Sequence, residues 1–186
     1  MNRLFLTCLA VTLTGCGLSH YTGAETPKQS AKNFDVLEIR DFTSALDDPT
    51  AKDIASRFAD KLHAEILEDR TLNPKQTIFK EIVRSTDRSD KVLVLEGTVI
   101  SLDKGSRAKR YWLGFGPGAA ICVIQSTFTD KTTGEVLDQV NFDGKHMAGG
   151  PLGGKPEEVM GWLARAYISY FRDYFAQAEG SSHSSQ

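Results

Sequence analysis

Ala119-Ala120-Ile121-Cys122-Val123-Ile124-Gln125-Ser126-Thr127-Phe128-Thr129, followed by Asp130-Lys131-Thr132-Thr133-Gly134 and then by Val136 to Phe142, is the stretch that decides the fold. Its first part alternates. Ala120, Cys122, Ile124 and Phe128 fall on one face and Gln125 and Thr127 on the other, which is the period of a strand with one buried side. Asp130 to Gly134 collects the residue types of a tight turn, so Val136 to Phe142 is expected to return antiparallel. Cys122 then sits on the core face.

Working outward, Lys91 to Leu102 carries apolar residues on both alternating faces and reads as a central strand. Thr77 to Val83 is a shorter strand. Phe34 to Phe42, with Val36, Leu37, Ile39 and Phe42 among charged residues, reads as the first. Between them, Asp48 can cap a helix and Pro49 suits its first position. Ala51, Ile54, Ala55, Phe58, Leu62 and Ile66 then recur at helical spacing, and the helix is expected to end near Arg70, before Asn73-Pro74. A second helix is expected from Pro156 to about Ala178. Glu157 and Glu158 lie at its positive end, Val159, Leu163, Tyr167, Tyr170 and Tyr174 form one row, and Met160, Ala164, Phe171 and Phe175 broaden it. Packing against the sheet is the expected use of that stripe. The expected order is β-α-β-β-β-β-α, an α+β fold with an antiparallel-rich sheet of about five strands and two helices on one face.

The N-terminus carries a different kind of signal. Arg3 supplies a positive charge, Leu4 to Leu13 an apolar run, and Thr14-Gly15 a small-residue exit before Cys16, the layout of a secretory signal. The run is too short to span a hydrocarbon core as a helix. Leu13-Thr14-Gly15-Cys16 resembles the bacterial lipobox, which implies a diacylglyceryl group on the Cys16 sulfur, cleavage before Cys16 and acylation of the freed amine. Several acyl chains hold a protein firmly where one is marginal. In Gram-negative lipoproteins an Asp after the cysteine resembles an inner-membrane retention signal; here Gly17 stands there, implying the outer membrane, with the domain facing the periplasm.

On this reading residues 1–15 are the signal, 16–33 a lipidated cysteine and flexible tether, 34–179 one α+β domain, and 180–186 a disordered tail. As a coil, Gly17 to Asn33 would span roughly 23 Å. Of 22 Lys and Arg against 24 Asp and Glu, cleavage removes Arg3 alone, taking the formal charge from −2 to −3. That balance does not suit a nucleic-acid binder. Cys8 leaves with the signal and Cys16 is lipidated, so Cys122 has no partner for an intramolecular disulfide, and burial suits it in an oxidising periplasm. His20, His63, His146 and His183 show no metal-ligand spacing, and no metal or other cofactor is expected.

Gly149-Gly150-Pro151-Leu152-Gly153-Gly154-Lys155 satisfies G-x-x-x-x-G-K, but Pro156 replaces the hydroxyl that should meet magnesium and removes a phosphate-cradling N–H. Nucleotide is therefore not expected. There is no G-x-S-x-G elbow, and the Asp47-Asp48 and Glu157-Glu158 pairs are explained by helix starts. No catalytic residue is assigned.

The distinctive segment is Gly105-Ser106-Arg107-Ala108-Lys109-Arg110-Tyr111-Trp112-Leu113-Gly114-Phe115-Gly116-Pro117-Gly118. It resembles the G-x-R-x-x-R-Y-x-x-G-F-G-x-G signature of an uncharacterised family of small Gram-negative lipoproteins, and the likeness in layout runs from Phe34 to Ala178. That resemblance implies a lipid-anchored α+β domain without a known reaction. Physically, Arg107, Lys109 and Arg110 concentrate positive charge beside Tyr111, Trp112 and Phe115, so the segment is a candidate grip for a lipid or lipopolysaccharide phosphate, or for an acidic envelope partner. The alternative is a strand connection folded back on the sheet, its arginines paired locally. The expected function is a non-enzymatic binding or envelope-assembly accessory. The other readings are an envelope hydrolase whose site forms only in three dimensions, and a lipid-binding module with an apolar cavity.

Overall fold

The computed structural model describes residues 19–22, 33–74, 79–104, 120–146 and 156–176. Its elements in chain order are β1 (Ser19–Thr22), β2 (Val36–Ile39), β3 (Thr43–Ser44), α1 (Pro49–Leu72), β4 (Glu81–Val83), β5 (Val92–Asp103), β6 (Ala120–Asp130), β7 (Val136–His146) and α2 (Pro156–Ala176). The strands form one seven-stranded sheet ordered β1-β7-β6-β5-β2-β4, with the short β3 also on β5.

The expected hairpin is there. β6 and β7 pair antiparallel from Ala120 opposite His146 to Thr129 opposite Val136. The turn is closed by Asp130, whose carboxylate accepts the N–H groups of Thr132 at 2.8 Å and Thr133 at 3.4 Å. Gly134 takes φ +71°, which a residue with a side chain adopts only at a cost. β5 then pairs antiparallel with β6 and occupies an interior position, as its two-sided apolar pattern predicts.

Three expectations need correction. The sheet is mixed and larger than five strands: β2 runs parallel to both β4 and β5, and β3 runs parallel to β5. The cause is α1. A long helix between two strands carries the chain back to the end it started from, so β2 and β4 must run the same way. The stretch Phe34 to Phe42 is also not one strand. It breaks after Ile39 and resumes as β3 beside a different part of β5. Furthermore, Ser19–Thr22, within the stretch read as a flexible tether, forms an edge strand antiparallel to β7. Tyr21 anchors it, with its ring edge-on to Tyr170 at 5.3 Å. Ring packing and four ladder positions offset the entropy of ordering so short a segment.

Both helices cover the same face. α1 starts where expected, with the Asp48 carboxylate accepting from Thr50 N at 2.9 Å and Ala51 N at 3.1 Å. It buries Ala51, Ile54, Ala55, Phe58, Ala59, Leu62 and Ile66 against β3, β4 and β5. α2 buries Val159, Met160, Leu163, Ala164, Tyr167, Tyr170 and Phe171 against β7, β1, β6 and α1. Where helices and sheet meet, the core is aromatic. Phe142 stacks on Tyr167 at 3.7 Å between centroids, Phe128 stacks on Tyr170 at 5.2 Å, and Phe42 meets Phe58 edge-on at 5.1 Å. Cys122 lies in this core, fully buried. A smaller apolar cluster of Val36, Val92 and Val94 occupies the opposite face.

Candidate functional site

The segment with Arg107, Lys109, Arg110, Tyr111, Trp112 and Phe115 lies outside the described residues, and so does Cys16. The structure places the two roots of that segment. Lys104 follows β5 and Ala120 opens β6, and Asp103 stands opposite Ile121 in the ladder. The register brings further chain ends to the same place. Gly144 of β7 faces Cys122 on one side and Ser19 of β1 on the other, so the start of β1, the end of β5, the start of β6 and the end of β7 share one end of the sheet.

Both helices also begin there. Lys104 Nζ lies 2.6 Å from Asp48 Oδ2, tying the end of β5 to the cap of α1. That hydrogen bond, then the one from the Ala51 N–H, holds the Asp48 carboxyl below its ordinary range. The first turns of α2 lie directly over Gly144. A Cβ there would come within 2.7 Å of Leu163 Cγ and 3.0 Å of the Val159 carbonyl oxygen, so only glycine lets helix and strand approach this closely.

The opposite end is closed by its own ion pairs. Glu38, 4% exposed, receives Lys131 Nζ at 2.6 Å and Arg40 Nε at 3.1 Å, and Arg40 also reaches Glu96 at 2.6 Å. Lys131 donates in addition to the Thr86 carbonyl. Burial alone would raise the Glu38 carboxyl, but the hydrogen bonds from Lys131 and Arg40 outweigh it and hold the group below its ordinary value. Arg84 clasps the neighbouring corner, donating to the Ile39 carbonyl, to Asp41 and, at 2.8 Å, to Asp60 of α1. These contacts lock elements together, and every cation among them faces a carboxylate or carbonyl.

Beneath α2 lie two buried polar pairs. Tyr170 Oη donates to Asp138 Oδ2 at 2.7 Å, and the hydroxyls of Tyr167 and Ser126 hydrogen-bond each other. Burial drives the Tyr167 hydroxyl well above its ordinary pKa despite the Ser126 contact, and pushes the Cys122 thiol up to about 12. Both stay protonated at neutral pH, and neither reaches solvent. His63 Nε2 lies 3.1 Å from the Ile82 carbonyl oxygen. Among the described residues no group of three or more His, Cys, Asp or Glu side chains is placed to hold a metal, and no helix is long and apolar enough to cross a membrane.

The geometry therefore defines an α+β domain with one helix-covered sheet face, one end closed by ion pairs, and one end from which its most basic and aromatic segment departs. The chain belongs to the DUF4410 family, a domain of unknown function, whose profile matches residues 24–150. No curated protein matches it. Among solved structures it is similar to the PelC dodecamer from Paraburkholderia phytofirmans, at 14% identity and a TM-score of 0.48 over 84% of this chain and 98% of that one. It is also similar to protein XCC0632 from Xanthomonas campestris, at 12% identity and a TM-score of 0.46 over 87% of this chain and 92% of that one.

Sequence reasoning missed two parts of this arrangement. The pairing of Glu38 with Lys131 joins residues far apart in the chain, and its local sign is a carboxylate flanked by Leu37 and Ile39 within a strand. The other is β1, whose short run before a Gly- and Pro-containing stretch has the composition of a linker.

Proposed function

We propose that this chain is a lipid-anchored protein of the bacterial outer membrane whose domain faces the periplasm and serves, without catalysis, as a binding or envelope-assembly accessory. The observation that carries the reading is Leu13-Thr14-Gly15-Cys16 at the end of a short apolar run, with Gly17 in place of a retention aspartate. The binding element is the segment from Gly105 to Gly118. Arg107 and Arg110 supply guanidinium forks for a phosphate or carboxylate, Lys109 adds a point charge, and Tyr111, Trp112 and Phe115 supply apolar and stacking area. The partner is then an envelope protein with an acidic surface or a lipid headgroup.

The test combines metabolic palmitate labelling with affinity capture from membranes. The native protein is expected to take up label and Cys16→Ser to take up none, with an envelope partner recovered only from the labelled form. The paired substitution Arg107→Ala with Arg110→Ala is expected to lose the partner while its thermal midpoint stays within a few degrees of native. A fall in stability with unchanged capture would assign those arginines to the fold instead.

A further inference from the structure

Cys16 lies three residues before Ser19, and Ser19 is the first residue of a strand held in the sheet opposite Gly144. Three residues of fully extended chain reach at most about 11 Å. Because β1 runs antiparallel to β7, the N-terminal end of β1 lies toward the end of β7, beside Gly144. An acyl group on Cys16 would thus be attached, on a very short leash, to the end of the sheet formed by Ser19, Asp103, Ala120 and Gly144. We infer that this end rests against the phospholipid headgroups and that the sheet stands with its Asp130-to-Glu135 turn directed away from the bilayer. The inference rests on the lipid-anchor reading above and adds the surface and the orientation.

The two ends are also well separated along the strands. β5 from Val92 to Asp103 extends about 36 Å along the strand axis.

The experiment uses full-length protein purified from membranes and reconstituted into vesicles of phosphatidylglycerol and phosphatidylethanolamine carrying a headgroup-linked energy acceptor. A donor dye is attached to Asp103→Cys, to Ser101→Cys or to Glu135→Cys, all exposed positions. The buried Cys122 thiol does not compete for the dye. Energy transfer several-fold stronger from positions 101 and 103 than from 135 is expected, and a flexible Gly-Ser insert between Cys16 and Ser19 is expected to erase most of that difference. Equal transfer from both ends, or stronger transfer from 135, with protein still floating on the vesicles, would overturn the orientation and leave the anchor intact. Protein that does not float and carries no acyl mass on Cys16 would overturn the anchor and this inference together.

Discussion

The two ends of the sheet are built on different principles. At the Asp130-to-Glu135 end three polar side chains in a row are used internally: Asp130 closes the turn, Lys131 joins Glu38 to the Thr86 carbonyl, and Thr132 Oγ1 donates to the Ser89 carbonyl at 2.7 Å. At the other end a glycine lets α2 crowd β7, a lysine holds the cap of α1, and four chain ends converge. An end that satisfies its own charges is a structural clasp. The other end gathers the connections and ties down the N-terminal strand.

The contrast can be broken most forcefully at Phe142, which lies in the shared core, stacked on Tyr167 and 6.3 Å from Tyr21 of β1. Phe142→Ala should cost about 4 kcal/mol in urea unfolding and release β1 before the rest of the sheet. Next comes Glu38→Ala, which leaves the Lys131 ammonium without its carboxylate. About 3 kcal/mol is expected to be lost, with β1 protection unchanged. Because the folded Glu38 carboxyl is held below its ordinary value, its contribution is present above the unfolded pKa, about 4.5, and is lost as pH falls through the lower folded value. Native protein should therefore lose stability on acidification below about pH 4.5 more steeply than Glu38→Gln does.

Gly144→Ala sharpens the comparison from the other side. Pushing α2 off β7 should cost about 2 kcal/mol and loosen the convergent end while leaving the Glu38 clasp untouched. Tyr170→Phe is the mildest of the substitutions, at about 1–2 kcal/mol, since Asp138 keeps its contact from the Gln139 N–H. The smallest effect at neutral pH is that of Cys122. Its folded pKa is raised, so its contribution is complete below the unfolded value near 9.0 and is lost as pH rises toward about 12. Thiol reagents at pH 8 should modify it only in denaturant.

Much of the covered face was legible in the sequence because its signals are local. Asp48-Pro49, the stripe from Ala51 to Ile66, the alternation around Cys122 and the turn at Gly134 each depend on neighbours a few residues away. Parallel pairing of β2 with β4 was legible in principle, since a long helix between strands implies a crossover, but a short β4 and the break between Ile39 and Thr43 hid the unit. β1 was not legible. Its partner lies more than a hundred residues away, and only Tyr21 among its four residues brings a large apolar surface. The candidate binding segment is read from composition alone, as arginines among glycines and aromatics, and lies outside the described residues.

The most direct test of the account is amide hydrogen exchange across Ser19–Thr22 in the native protein. If the chain just after Cys16 belongs to the sheet, its β7-facing amides exchange far more slowly than unstructured chain and in step with Asn141 to Gly144, their ladder partners. Exchange at the unstructured rate across Ser19–Thr22, with β7 still protected, would detach this strand from the sheet and contradict the difference between its two ends.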